Sequence, residues 1–339
     1  MTKRTVFVRT AVLSNLVEVA QSLNFDARPL LRAHGLPAAL LADRDHKIPV
    51  ELATQLLEEA AQLSCNESFG LLMAQRRQLA DFGAVSLLLI HQPTIRSMLS
   101  ILQRYQYLMN QSLLISVEEF DDVVVIREEL VFGGDAGTRQ ATELAVGVLH
   151  RMFAMLFGSQ WRPQEVHFKH DAPSDLSIHR SVFAVPVRFR SEISGVVCSA
   201  SDLDRLNPQA DVEMARYAQR YLDSLLEAKA DSIVEEVRNA LVNLIPGGRF
   251  ALVDVADHLG MQVRQLQRQL SAAGTTYGEL LSGVRTELAC QYLRNSSSPL
   301  ADISEYLGFA SPSVFARWFR RNVGETPSSW RNLAGQSSV

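Results

Sequence analysis

The 339 residues are 47% hydrophobic and 21% charged, with 33 Lys and Arg against 37 Asp and Glu and a formal charge of −4. At about 100–200 residues per domain this length accommodates two domains, and the apolar fraction is enough for packed cores, which excludes bulk disorder. The charge balance excludes a chain that holds polyanions by overall basicity, while leaving room for a local basic surface.

The chain opens with apolar residues at helical spacing, Val12, Leu13, Leu16, Val17, Ala20 and Leu23, so a helix is predicted over 10–24. Pro29 starts a short helix that stops at Gly35, and Pro49 starts a longer one with Leu52, Leu56, Leu57 and Ala60 on its inner face. Helical patterns continue over 66–76, 81–91 and 94–109. The period then changes. Segments 112–118 and 122–130 are rich in Val and Ile around an acidic break, which predicts a β-hairpin. A turn at Gly133, Gly134 and Gly137 leads to Thr138 as the cap of a helix over 139–157. Short strands are expected near 164–169, 185–190 and 194–199, then helix over 202–226 interrupted at Pro208. From 232 onward only helices are predicted: 232–244, 251–259, 262–272, 277–294, 300–307 and 312–322. The fold class is thus an α+β N-terminal domain over 1–220, a linker over 221–231 and an all-α domain over 232–334.

Three cysteines, Cys65, Cys198 and Cys290, are far apart, odd in number and lack metal-ligand spacing, so they read as buried small hydrophobes of a reduced compartment. No apolar run approaches the roughly 18 residues of a membrane span. Arg9, Asn15 and Glu18 interrupt any signal-peptide core, and a cytoplasmic protein without a membrane partner is expected.

The strongest functional signal is a repeat. Residues 254–261, Asp-Val-Ala-Asp-His-Leu-Gly-Met, return 48 positions later as Asp-Ile-Ser-Glu-Tyr-Leu-Gly-Phe over 302–309. Each copy is a helix, a glycine that permits positive φ, one apolar residue and a second helix. The small residue (Ala256, Ser304) lets the helices cross closely. This is the pattern of a helix-turn-helix, and two of them are joined here by a long helix. The second helices read QVRQLQRQL from Gln262 and PSVFARWFRR from Pro312. In the first, Val263, Leu266 and Leu270 share one face, while Arg264, Gln267 and Arg268 point away. In the second, Val314, Phe315, Trp318 and Phe319 form the inner face, and Ser311 is placed to cap, with Pro312 at the first position. Arg and Gln can each make two bonds to one base edge in the major groove, and further Arg, Ser and backbone N–H groups can hold phosphates. The candidate DNA-binding residues are Arg264, Gln267, Arg268, Pro312, Ser313, Arg317, Arg320 and Arg321.

Over 232–334 these residues resemble the AraC/XylS-type transcription regulators. The resemblance rests on Gly308-Phe309-x-x-Pro312-Ser313-x-Phe315-x-Arg317-x-Phe319-Arg320-Arg321, on Gly324-x-Thr326-Pro327 and Trp330-Arg331, and on Arg285, Ala289 and Leu293 in the middle helix. Looser motifs, Trp161-x-Pro163-x-x-Val166-x-Phe168-x-His170-x-x-Pro173 and Phe183-x-Val185-Pro186-Val187-x-Phe189, are similar to the branch with a helical and αβ sensor domain, to which ornithine-utilisation and quorum-sensing regulators belong. The resemblance implies a sequence-specific regulator of promoter DNA, activation through RNA polymerase, and an N-terminal domain that senses a small-molecule effector, dimerises, or both. It names no effector.

Within the N-terminal domain, Arg104, His150 and Arg151 are candidates to contact an acidic or polar effector and read equally as salt-bridged surface groups, while Tyr105, Tyr107 and Trp161 are candidates to line an apolar pocket and read equally as core. His167 and His170, three apart, complete no metal set. No nucleophile–base or paired-carboxylate pattern stands out, so no catalytic residue, metal or cofactor is expected. Two alternatives remain open: a metabolite-processing enzyme domain fused to a helical DNA-binding domain, and a non-specific architectural DNA protein. Residues 231–339 hold 10 Arg, no Lys and 10 acids, so the formal charge of −4 belongs to the first 230. Yet 262–278 holds two Arg and 306–324 three, with no acid in either, which predicts a shallow salt dependence and a reliance on base contacts.

Overall fold

The computed structural model describes residues 6–110, 112–130, 138–158, 161–229, 233–245, 248–295 and 299–336. Contacts divide the chain into two compact units, the first ending at Leu222 and the second resuming at Asp223.

The N-terminal unit begins with β1 (Phe7–Arg9), paired antiparallel to β2 (Lys47–Pro49) around α1 (Leu16–Ser22) and α2 (Arg28–Ala33). The expected helix over 10–24 is broken. Thr10–Leu13 is a 3-10 turn, and Asn15 sits in the left-handed region at φ 69° before α1 starts. Three helices follow, α3 (Val50–Leu63), α4 (Phe69–Gln75) and α5 (Val85–Leu89), and then α6 (Ile95–Met109), capped by a reciprocal Thr94–Ser97 box.

The predicted hairpin is β3 (Leu113–Phe120) with β4 (Val123–Leu130), in register from Leu113↔Leu130 to Phe120↔Val123. Next come α7 (Arg139–Phe157), β5 (Glu165–His167), α8 (Ser177–Phe183), β6 (Val187–Arg188), β7 (Gly195–Ser199), α9 (Ala200–Leu203) and α10 (Val212–Lys229). The larger sheet runs β3-β4-β7-β5-β6, with only β5 and β6 parallel. The 185–190 strand shrinks to two residues, and α8 was not foreseen. The Gly133–Gly137 turn lies outside the described residues. Thr138 precedes α7, but its side chain accepts no capping hydrogen bond. Helix α10 runs on to Lys229, so most of the segment read as linker is helical.

Two glycines set how closely α7 lies against α4. A Cβ on Gly70 would meet the Gln140 carbonyl oxygen at 2.1 Å, and one on Gly147 would meet Ala74 Cβ at 2.7 Å. Side chains of Leu144, Val146, Leu149, Met152, Phe153 and Leu156 are buried on α7, as are Val124 and Ile126 on β4. At about 1.5–3 kcal/mol per buried aliphatic or aromatic side chain, this face accounts for much of the unit's cohesion. Polar groups are buried there too. Glu143, fully inaccessible, has Arg139 at 3.3 Å, His179 at 3.2 Å and His170 at 3.5 Å. Glu128 on β4 has no such neighbour among the described residues, and burial pushes its carboxyl up to about 8.

The cysteine expectation needs correction. Cys198 is buried, with its thiol pushed up to about 12 by burial, but Cys65 is exposed and Cys290 half-buried; none of the three is in a disulfide.

The C-terminal unit is helical throughout its described residues: α11 (Ile233–Leu244), α12 (Leu252–His258), α13 (Val263–Ala272), α14 (Tyr277–Asn295), α15 (Leu300–Tyr306), α16 (Pro312–Val323) and α17 (Pro327–Gln336), the last not predicted. The repeat is reproduced bond for bond. In the first copy the Met261 N–H donates to the Ala256 carbonyl (2.8 Å) and Gly260 N–H to that of Asp257 (3.1 Å). In the second, Phe309 N–H donates to Ser304 (2.9 Å) and Gly308 N–H to Glu305 (2.8 Å). This is the Schellman closure, and it needs the positive φ that Gly260 (66°) and Gly308 (70°) supply. Val255, Ala256, Ile303 and Ser304 are all buried at the crossings.

Candidate nucleic-acid interface and effector cleft

Helix α13 anchors itself through Leu266 and Leu270, both buried, and this orientation leaves Arg264, Gln267 and Arg268 exposed. Gln265 is exposed beside them, a polar group that the face assignment from sequence passed over. Gln262 holds the N-cap position in extended backbone, but its side chain makes no cap bond. Helix α16 is better terminated. Ser311 Oγ accepts from the Val314 N–H at 3.3 Å, Pro312 occupies the first turn, and Gly324 ends the helix at φ 91°. Phe315 and Phe319 are fully buried, within an aromatic cluster that includes Phe309, Trp318 and Trp330. Pro312, Ser313, Arg317, Arg320 and Arg321 are exposed on the remaining surface.

Among the described residues none of Arg264, Arg268, Arg317, Arg320 and Arg321 has an ion pair or hydrogen-bonded partner. Each guanidinium fork is therefore available to carboxylate-like or base-edge acceptors outside the chain.

The two helix pairs are tied together through α14. The Arg285 guanidinium lies 4.2 Å from the Phe250 ring centroid and 4.7 Å from that of Phe309, and its Nη2 donates to the Gly308 carbonyl at 3.3 Å. Phe250 precedes α12, and Phe309 follows the turn glycine of the second pair. Burial lowers the Arg285 pKa from its ordinary value. Tyr277, at the start of α14, donates its hydroxyl to the Phe250 carbonyl, and burial pushes that hydroxyl up to about 12.

In the N-terminal unit, three of the effector candidates come together, and the Tyr107 side chain lies outside the described residues. A cleft of about 160 Å³ between α4, α7 and α8 is lined by Gln75, His150, Arg151, Ala154, Ser181 and Val182. Trp161 Nε1 donates to His150 Nδ1 at 3.3 Å, and the imidazole also bonds the Val182 backbone. Burial pushes His150 down to about 4, so it is neutral near pH 7. Arg104 and Tyr105 sit on α6 and do not line this cleft. The Tyr105 ring is fully buried, with the Arg104 guanidinium 5.5 Å from its centroid. Gln75 and Ser181 were missed, because nothing in the sequence links one residue ending α4 with another inside the unforeseen α8.

Among the described residues there is no group of His, Cys, Asp and Glu able to hold a metal ion. No described helix is long and apolar enough to cross a membrane.

Comparison with known proteins adds the lineage. Residues 25–207, more than half of the chain, match the arabinose-binding domain of AraC transcription regulator, N-terminal, and residues 255–333 match a helix-turn-helix domain. The chain belongs to the AraC family of transcription regulators. It is 28% identical to the HTH-type transcriptional regulator VirS of Mycobacterium tuberculosis over 97% of its own length and 98% of the relative's. To the ornithine utilization regulator of Pseudomonas aeruginosa it is 26% identical, over 81% and 82% of the two chains. To the HTH-type transcriptional regulator VqsM of the same organism it is 24% identical, over 91% and 97%. This AraC-family chain is accordingly a DNA-binding transcription regulator. Its N-terminal unit is of the arabinose-binding type and mixes helices and sheet, and its C-terminal unit contains a helix-turn-helix domain.

Proposed function

We propose that the C-terminal unit reads promoter DNA with two helix-turn-helix units, α12–α13 and α15–α16, joined by α14. The observation that carries this is the pair of second helices whose exposed faces hold five arginines without an ion pair or hydrogen-bonded partner among the described residues. The 19 residues of α14 span about 28 Å at 1.5 Å per residue, comparable with the ~34 Å between successive major-groove faces. In this reading Arg264, Gln267, Arg268 and Arg317 contact base edges, while Ser313, Arg320, Arg321 and the backbone at Pro312 hold phosphates. Near-zero charge in this unit favours base readout and a shallow salt slope.

The domains divide as 1–220 for effector sensing and dimerisation and 232–334 for DNA binding. The effector binds the N-terminal unit and shifts the population between DNA-competent and less competent arrangements, as differential affinity requires. The regulator activates through contact with RNA polymerase, as its family resemblance implies, and works in the cytoplasm without catalysis. Pairing with a second copy fits an exposed apolar stripe on α10 formed by Met214, Tyr217 and Tyr221, spaced three and four apart.

Footprinting on the cognate promoter tests the bipartite reading. Two protected major-groove segments about 10 bp apart per monomer are expected, and a single segment overturns it. Arg317→Ala should weaken cognate binding by about 1–3 kcal/mol and random-DNA binding much less. Equal loss on both would demote Arg317 to a phosphate contact.

A further inference from the structure

We infer that the cleft between α4, α7 and α8 is a binding site for a small carboxylate, with Arg151 as the residue that pairs with it. The inference deepens the effector-sensing reading above, on which its regulatory meaning rests.

The geometry starts with how Arg151 is held. Its Nε–H donates to the backbone carbonyl of Arg77 at 2.6 Å, which fixes the plane of the fork. Its terminal nitrogens have no ion pair or hydrogen bond among the described residues, although the side chain is half-buried and lines the cleft. A half-buried guanidinium is normally matched by a carboxylate or by carbonyl oxygens. Here the neighbourhood adds charge of the same sign. Arg77 is buried, donating its guanidinium to the carbonyl oxygens of Ala11 and Val12, and burial lowers its pKa to about 10. Asp81 is the acid whose charge acts on Arg77, and it is already in an ion pair with Arg44 at 3.0 Å. Arg76 and Arg180, next in sequence to the lining residues Gln75 and Ser181, are exposed and without an ion pair among the described residues.

The other walls complete the selection. His150 is neutral and already bonded at both nitrogens, to Trp161 and to the Val182 backbone, so it contributes shape and no competing charge. Ser181 and Gln75 offer a hydroxyl and an amide without recorded partners among the described residues, and Ala154 and Val182 offer apolar contact. A fork presenting two parallel N–H groups matches a carboxylate bidentately. The volume of about 160 Å³ lies below the 300–1,000 Å³ of sites for drug-sized ligands and corresponds to roughly five waters of liquid. It suits an acid of about five to eight non-hydrogen atoms with a short apolar chain. A neutral sugar would leave the guanidinium without its counter-charge.

The test titrates the full-length protein with butyrate and, in parallel, with butyramide, which has the same size and no charge. Trp161 fluorescence and ligand-observed magnetic resonance report binding, and thermal unfolding checks each variant's fold. Saturable butyrate binding at least tenfold tighter than butyramide is expected, with Arg151→Gln abolishing the preference. Gln75→Glu leaves the Arg151–Arg77 bond in place and puts a competing carboxylate in the cleft, so it should weaken butyrate by a similar factor. Arg162→Ala, away from the lining residues, should change nothing. Equal affinity for acid and amide, no saturable butyrate binding, or a preference that survives both cleft variants overturns the inference. Promoter binding is measured separately on the ligand-free protein. If it persists while butyrate fails, the carboxylate site falls and the regulator stands; if promoter binding fails while butyrate binds through Arg151, the reverse holds.

Discussion

Arginine is used in two ways in this molecule, one in each unit. In the N-terminal unit the structural arginines meet acids of the same chain: Arg96 with Asp204 and Glu119, Arg139 with Glu67 and Glu143, Arg188 with Glu165, Arg9 with Asp45. Among the described residues, exposed arginines without ion pairs occur there too, Arg76, Arg162 and Arg180 included, but on separate elements. In the C-terminal unit two arginines of the supporting helices are engaged, Arg238 with Glu287 at 2.6 Å and Arg285 between two rings. Those of α13 and α16 have no ion pair or hydrogen-bonded partner among the described residues. The formal neutrality of residues 231–339 therefore conceals a separation, with the acids on supporting helices and turns and cations on two faces. Net charge would have missed this; the position of each charge on its helix reveals it.

The contrast can be broken most severely at Arg139. Its loss leaves Glu143 buried beside His170 and His179 without a permanent cation, so Arg139→Ala should cost about 3 kcal/mol in chemical denaturation. A smaller shift in free energy would mean that the histidines carry the compensation.

Glu128 is the converse case, a buried acid with no cation. Its folded-state pKa of about 8 lies above the ordinary carboxylate value, so the folded protein holds a proton that the unfolded chain gives up. The stability associated with this group is complete near pH 4 and declines as pH rises through 8. Glu128→Gln should therefore stabilise the protein by about 1–3 kcal/mol at pH 8 and leave it little changed near pH 4. A gain independent of pH would contradict this account.

At Arg285 the expected loss is about 1–2 kcal/mol for Ala, read by the Trp318 and Trp330 emission of the C-terminal unit. Arg285→Lys should not restore it, since an ammonium lacks the flat guanidinium that lies between Phe250 and Phe309. Full rescue by lysine would show that charge alone mattered.

The smallest stability effect is expected at Arg317. Without an ion pair or hydrogen-bonded partner among the described residues, Arg317→Ala should move the unfolding free energy by less than about 0.5 kcal/mol, while weakening promoter binding on the proposed reading. A clear destabilisation would place Arg317 among the structural arginines and undo the comparison.

How much could be read in advance followed the range of the interactions. The 254–261 and 302–309 repeat was legible because each turn closes within a few residues through its glycine, and the faces of α13 and α16 because Leu266, Leu270, Phe315 and Phe319 keep helical spacing. The β3–β4 hairpin was legible for the same reason. Strands β1 and β2 were not, since three residues carry no usable period and their pairing spans the intervening α1 and α2. Helix α8 was missed among residues that read as loop. The cleft was only half visible: adjacent His150 and Arg151 drew notice as polar residues in an apolar helix, but their companions Gln75 and Ser181 arrive through tertiary packing. Tyr105 shows the reverse, an aromatic offered for a pocket whose ring is fully buried and stands apart from this cleft.

The position of Arg285 between Phe250 and Phe309 has one more consequence. A Cβ at Gly308 would meet the Phe250 ring at 2.1 Å, so the turn of the second pair packs tightly on the residue that precedes the first. On the two-unit reading proposed above, such a reader has a fixed pitch. Each base pair inserted between the two half-sites turns the second one by about 35° around the duplex. Single insertions should then silence a promoter that tolerates many base changes, and a full turn of ten or eleven would not restore it, because the distance would have doubled. Operators for this protein would thus drift in sequence far more readily than in length.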